Sequence, residues 1–587
     1  MNTIISKYKR MARTIALSVA LPASSLMLTG CNDFLDTLPL NDVVLENFWT
    51  QKSDVTSVLN SCYESLGSKE SIIRMGMWGE MRSDNIVAGS ATPYEYSEML
   101  KEKILPTYGI VKWAVMYQTI NRCNTVCHYA PMVQEKDPNY TVDEMNANIA
   151  EATFIRDLCY FYLIRTFRDV PVSFEPSIDD TKDFKIPPTP MNEALDLLIA
   201  DLESVKDKAV RRYFDDSKYT NLQAYSVARE NSSRVTRVAI YALLADLNLW
   251  RGNWEKCIEY CDLVIDFKKE QYRLKKANLS SNNIKDLQEF YGIPLIRDYQ
   301  DGSTTSGDAF TAIFGRGNSF ESLFELYYEN NRGNKNEYTD PYYYRIENNS
   351  SSQGHFAAYS ELGNKVYDKS NKGTTMLFAY NDSRVYGTLQ ADGTRILKYA
   401  CTSYSNSNMQ SIIRGLTSIG SGLFGSPRTS NEFANWIIYR LTEVILMKAE
   451  AKIMQGDGNF REAFNLINAV NKRSRLLSSD NKGDTLVYNN YGTSREKMEQ
   501  LVIDERQREL MFEGKRWYDL VRLSLRTGNT KQLASKASEK QQSGQNAVKV
   551  KLSDINAIFL PYHKDELDLN PYLQQNSAYS NTEDFSK

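Results

Sequence analysis

Histidine is nearly absent from this sequence, and the shortage removes several chemistries at once. The 587 residues hold 3 histidines, His128, His355 and His563. They lie far apart and none sits in an H-E-x-x-H pattern, so a zinc-protease site has no support. A G-x-S-x-G nucleophile elbow is missing as well. Gly420-x-Gly422-x-x-Gly425 fits the spacing of a dinucleotide fingerprint. It lies in a Ser/Gly-rich stretch with no strand before it and no βαβ unit after it, so it reads as loop. Among the acidic residues no pair stands out for glycoside hydrolysis. The reading is therefore of a protein without catalytic residues, metal or cofactor.

Cysteine is sparse too, at 8 residues. Cys31 belongs to an N-terminal signal, and the others form an odd, scattered set that makes a poor disulfide framework. Cys123/Cys127 and Cys257/Cys261 each have the spacing that puts both on one helix face. Two such pairs suggest zinc, but they sit in apolar helical runs rather than tight turns, so buried core thiols are expected. An excess of charge of one sign is also lacking. Lys+Arg number 70 and Asp+Glu 73, for a net charge of -3. Nucleic acid, which demands a basic surface to neutralise phosphates, is excluded as a partner.

What is present begins at the N-terminus. Lys7, Lys9, Arg10 and Arg13 precede an apolar stretch from Thr14 to Leu28, which is shorter than the ~20 residues of a spanning helix. It runs into Leu28-Thr29-Gly30-Cys31, which resembles a bacterial lipobox. Residues 1–30 are accordingly expected to be a lipoprotein signal peptide, Cys31 the lipidated mature N-terminus, and 31–42 a tether. No other apolar run approaches spanning length, so the body should be soluble and held by its lipid. Tyrosine is abundant, 37 against 23 Phe and 7 Trp. It joins an apolar ring to a polar tip, which suits half-exposed gripping surfaces as well as core edges.

Helical periodicity dominates the rest. Val111 to Ala130, with Pro131 as its end, Ala150 to Phe167 and a helix opened by Pro190 are predicted. Arg237 to Asp266 and Tyr439 to Val470 read as tetratricopeptide-like helix hairpins turning at Gly252-Asn253 and Gly456 to Asn459. Residues 270–435 are loop-rich, with a β-like run at Glu321 to Glu329 and a Ser/Gly-rich excursion at 403–431. Length alone allows roughly two to four domains.

Three C-terminal segments carry a family resemblance. They are Tyr439-Arg440-Leu441-Thr442-Glu443 running to Ala449-Glu450-Ala451, Asp504 to Leu523 (DERQRELMFEGKRWYDLVRL), and Leu560-Pro561 through Asn570-Pro571 to Gln575-Asn576. Upstream, Phe34-Leu35-Asp36, Glu80-x-Arg82-Ser83-Asp84-Asn85, Phe320 to Glu325 and Asp382-x-Arg384 also fit. The chain resembles the SusD/RagB outer-membrane lipoproteins, departing from their pattern at Tyr562-His563-Lys564 and Ser577-Ala578-Tyr579. The resemblance implies a mostly α fold, a tetratricopeptide-like frame with long irregular loops and minor β, forming a single domain over 43–587. It also implies a lipid-anchored protein on the outer face of the outer membrane. Such a protein captures glycan or oligosaccharide for a SusC-like TonB-dependent transporter. Peptide, as for RagB-type members, is the alternative ligand, and a surface glycoside hydrolase the enzymatic one.

The dense charges of 504–523 are read as scaffold. Glu505–Arg508, Glu513–Arg516 and Arg516–Asp519 are expected as i,i+3 pairs on one helix. A sugar site needs aromatic platforms and planar polar groups on rigid structure. Two loop regions offer them. One supplies Trp78, Arg82, Asp84, Asn85, Tyr94 and Tyr96. The other supplies Tyr338, Tyr342, Tyr343 and Tyr344. Trp78 and one of Tyr342 to Tyr344 are expected on a shared concave surface.

Overall fold

Capping and small residues set the helical boundaries in the computed structural model of the chain. It describes residues 48–580 apart from 179–184, 299–307, 330–334, 344, 348–349, 353, 363–376, 380–381, 390–393, 405–424, 429–433 and 476–485. The main helices are α1 (Lys52–Leu66), α2 (Lys69–Glu80), α3 (Tyr94–Leu100), α4 (Ala114–Lys136), α5 (Val142–Phe167), α6 (Met191–Val205), α7 (Arg237–Arg251), α8 (Trp254–Asn278), α9 (Leu441–Met454), α10 (Phe460–Arg473), α11 (Arg495–Leu510), α12 (Arg516–Thr527) and α13 (Lys531–Glu539). Thr141 and Glu144 form a reciprocal capping box that starts α5. From Ala150 onward every residue of α5 is buried, Glu151, Arg156, Asp157 and Arg165 included, as expected of a helix at the centre of a stack.

The helices pack as a succession: α1 on α4, α4 on α5, α5 on α6, α6 on α7, α7 on α8, α8 on α9, and α9 on both α10 and α11. The fold is mostly α, and both predicted hairpins are present as α7–α8 and α9–α10. Strand structure is minor. β1 (Ile86–Ala88) pairs with β7 (Phe356–Ala358), β2 (Leu287–Phe290) with β3 (Ile293–Ile296), and β4 (Ser322–Leu326) with β10 (Trp436–Arg440). β5 (Arg345–Glu347) pairs with β6 (Ser350–Ser352) and β8 (Cys401–Tyr404) with β9 (Gly425–Pro427), and every described pairing is antiparallel and two-stranded. Among the described residues no helix is long and apolar enough to cross a membrane.

Two expectations are corrected. Pro131 does not end α4, which runs on to Lys136; one missing N–H is tolerated where Ala130 and Val133 are packed into the core. The 504–523 segment is two helices rather than one. The chain breaks at Phe512 (φ 65°) and Gly514 (φ 69°), left-handed conformations that end α11 and redirect α12. The break re-pairs the charges. Glu505–Arg508 forms at 2.7 Å as expected. Glu513 instead meets Arg440 and Lys398, Arg516 meets Asp84, and Asp519 meets Arg506 and Arg522.

These ions are interior. Glu509 lies among Arg384, Arg440 and Arg473. Burial pushes its carboxyl up, but those guanidiniums outweigh burial and hold it well below the usual carboxylate range. Glu505 is set by the same contest, burial against Arg384 and Arg508, and is pulled down to about 2. The cysteines outside the N-terminal signal are free thiols, all buried except the half-buried Cys127, and no cluster suited to a metal ion occurs among the described residues.

Candidate ligand-binding surface

The Trp78 to Asn85 segment faces inward, and this revises four of the expected contacts. Trp78 lies in the core, its Nε1–H donating to the Ile110 carbonyl at 2.9 Å and its ring edge-on to Phe167 at 5.4 Å. A ring enclosed this way offers no face to a ligand, so Trp78 does not share a concave surface with the tyrosines. Arg82 is buried in a fork with Glu102, donates to the carbonyls of Ala557 and Ile558, and stacks 4.2 Å above the Trp517 ring. Asp84 accepts from Arg516 Nε at 2.8 Å and Nη2 at 3.0 Å. Asn85 donates to Glu80 at 2.6 Å and accepts from Gln507 at 2.7 Å. Together these contacts sew the start of the chain body to α11 and α12. Close approach is part of it: a Cβ on Gly79 would stand 1.8 Å from the Gly514 carbonyl oxygen, and one on Gly76 2.3 Å from the Tyr338 ring.

The tyrosines divide between core and surface. Tyr338 and Tyr343 are fully buried, and Tyr343 donates to the Phe512 carbonyl at 2.9 Å. Tyr342 is nearly buried and stacks on Tyr338 at 5.0 Å, which in turn meets Trp436 edge-on at 5.3 Å. Burial raises all three hydroxyls above their ordinary range, so they stay protonated and serve as hydrogen-bonding groups. Tyr344 lies outside the described residues. At the outer end of this column Tyr96, half-buried, brings its hydroxyl to 3.3 Å from that of Tyr342 and its ring 6.2 Å from Phe356. Tyr94, two residues earlier, is 75 % exposed.

Helix α3 thus forms a ledge on the β1–β7 ribbon, with a rigid aromatic column under one side. The register Ala88↔Phe356 and Val87↔Ala357 alternates the ribbon's side chains. Phe356 meets the tyrosines, and Ala357 helps line a groove on the other side of α3. The groove has a volume of about 500 Å³ and is edged by Ser97, Lys101, Tyr359, Gln541 and Gln542. Gln541 Nε2 donates to the Leu100 carbonyl at 2.6 Å and the Tyr359 hydroxyl to the Glu539 carbonyl at 3.0 Å, so both walls are fixed. Amide and hydroxyl groups on rigid elements, with the Tyr359 ring among them and exposed Tyr94 at the start of the same helix, make a surface suited to a polyhydroxylated ligand.

The sequence reading misses the groove edge. Gln541 and Leu100 stand 441 residues apart in the chain, and the Lys540 to Asn546 run looks like any polar turn. Cys31 and most of the 403–431 stretch lie outside the described residues.

Known proteins share this fold. Residues 320–579 match the SusD family model (SusD_RagB), and residues 33–249 match a second, SusD-like, described as "Starch-binding associating with outer membrane". The chain belongs to the SusD/RagB family. It is 22% identical over 533 residues to SusD-like protein P38 of Formosa agariphila, covering 88% of this chain and 92% of that protein. A SusD superfamily protein from Bacteroides thetaiotaomicron superposes with a TM-score of 0.60 at 18% identity, covering 90% of this chain and all of that one. A structure described as a laminarin-binding SusD-like protein gives 0.57 at 18% identity, again over 90% of this chain and all of its own.

Proposed function

We propose that this chain is a surface glycan-binding lipoprotein that captures an oligosaccharide and passes it to a SusC-like TonB-dependent transporter in the outer membrane. In this reading residues 1–30 are removed, Cys31 carries the lipid, 31–42 form the tether, and 43–587 act as one binding domain. The observation that carries it is helix α3, which begins with exposed Tyr94 and half-buried Tyr96 and whose Ser97 and Leu100, with Lys101 at its end, line a groove of about 500 Å³ edged by amides and hydroxyls. Tyrosine has few rotatable bonds to freeze, and its hydroxyl reaches a neighbouring sugar oxygen while its ring packs on the sugar's C–H face. Family membership and the laminarin-binding neighbour support the same ligand class. The buried charges of α11 and α12 act as frame, and the protein holds its ligand without turning it over.

The test is direct. The body from residue 32 is run in native gels cast with plant, algal and microbial polysaccharides, alongside an assay for released reducing ends. Retardation by at least one polysaccharide with no reducing ends released is expected. Free migration through all of them, or steady release of reducing ends, refutes the proposal. The anchor is read separately: the full chain should partition into detergent, and Cys31→Ala should not.

A further inference from the structure

The groove beside α3 has a charge pattern as well as a shape. Two lysines border it, Lys101 and Lys540, and among the described residues no carboxylate does. Lys101 has a side chain that is 50% exposed and meets Glu98, whose side chain is 14% exposed, at 2.8 Å, so an anion in the groove shares the Lys101 ammonium with that carboxylate. Lys540 is different. It is 6% exposed, and its ammonium donates to the carbonyls of Met81 at 2.9 Å and Ser83 at 2.6 Å. An ammonium has three donors, and these two carbonyls satisfy two of them. The acids around it are engaged elsewhere, Glu102 by Arg82 and Asp84 by Arg516.

We infer that the groove takes an acidic sugar unit, a uronate carboxylate or a sulfate ester, seated between Lys101 and Lys540, with Gln541, Gln542 and Ser97 meeting the sugar's hydroxyls. The inference rests on the glycan-binding reading and narrows its ligand from saccharides in general to anionic ones. The chemistry is complementary on both counts. A carboxylate or sulfate gives Lys540 the negative partner that its two carbonyls do not, and charge-assisted hydrogen bonds are roughly twice as strong as neutral ones. Burial pushes the Lys540 ammonium down to about 8 against the pull of the nearby Glu102, Asp84 and Glu80 carboxylates. The second large groove, of about 640 Å³ beside α7 and α8, lacks this asymmetry, because Asp266 and Glu270 line it together with Arg211, Arg237 and Arg273.

The test uses calorimetry on the body from residue 32 with oligosaccharides of galacturonate, of glucuronate and of sulfated galactose. Each is paired with its neutral parent, made by methyl esterification or desulfation. At least one acidic member should bind, and its neutral parent should bind about tenfold more weakly or worse, the scale of one lost charge-assisted contact. Lys101→Gln, a surface change that leaves the melting temperature alone, should remove much of that preference, and Gln542→Ala should weaken acidic and neutral members equally. Equal binding of an acidic member and its parent, or full acidic preference in Lys101→Gln, overturns the inference and leaves the glycan-binding reading standing. Oligoglutamate binding as tightly as the uronates, and lost in Lys101→Gln, overturns the sugar assignment. Retardation by no polysaccharide in the native gels strikes the broader reading itself.

Discussion

Replacing Asp84 by alanine separates scaffold from ligand site more sharply than any other single change. Asp84 is 4% exposed and accepts two hydrogen bonds from the Arg516 guanidinium, at 2.8 and 3.0 Å, and one from Gln507 at 3.1 Å. Arg516 is 2% exposed, so alanine at 84 strands a guanidinium in the interior. Gln507 suffers less, since it keeps its 2.7 Å bond to Asn85. Breaking one side of a buried ion pair costs about 3–5 kcal/mol, most of it from the charge left behind. Burial pushes the Asp84 carboxyl up, and Arg516 outweighs it and holds it below its ordinary range, which agrees in sign with a net favourable pair. Urea unfolding should show the midpoint falling with an unchanged slope. The double variant Asp84→Leu with Arg516→Met, apolar and of similar bulk, should recover most of the loss. Ligand affinity of the folded fraction should match the wild type. Asp84→Ala with unaltered stability and lost affinity would show that the segment contacts ligand after all.

Three other outcomes follow from the interior. Gly79→Ala drives a Cβ into the Gly514 carbonyl oxygen at 1.8 Å, so the α2–α12 junction must shift at a cost of about 1–3 kcal/mol; an unchanged unfolding midpoint would contradict that contact. Trp517→Ala removes a ring that is 2% exposed and packed under Arg82, and should lower stability by about 3–5 kcal/mol in the same assay. Glu505 is depressed from 4.5 to about 2. A carboxyl with a folded pKa below its unfolded value contributes stability above the unfolded value and loses it as pH falls toward the folded one, here about 3 kcal/mol between pH 4.5 and 2. Glu80, pushed up to about 7 by burial, acts oppositely over its own range, so the acid loss is best measured in a Glu80→Gln background; stability flat from pH 5 to about 2 would refute the assignment.

The helical frame was readable because it is local. Apolar residues at helical spacing, the Gly252 turn and the Gly456 to Asn459 turn mark both hairpins without long-range information. Segment 504–523 was rightly read as scaffold, but its partners were not, because Phe512 takes a positive φ that no residue type announces. The loop aromatics were the hard part. Consecutive tyrosines do not all face a core, yet Tyr342 and Tyr343 both do, because a single helical turn over Thr339–Tyr342 folds them inward and Gly76 makes room for Tyr338 beside them. Arg82, Asp84 and Asn85 looked like sugar contacts because planar polar groups serve both purposes; only the far side of the pair, Arg516 and Gln507, decides which. Of the residues singled out for ligand, Tyr94 and Tyr96 stand at the surface.

Those two tyrosines give the most direct measurement. Calorimetry with the polysaccharide fragment that the wild type binds is repeated on Tyr94→Ala and Tyr96→Ala, with melting curves on each. Losing an aromatic sugar platform should weaken binding by about 1–3 kcal/mol, the scale of burying one large side chain. Tyr94→Ala should leave the melting temperature unchanged, since that ring is 75% exposed. Wild-type affinity in both variants would contradict the α3 ledge as the ligand surface.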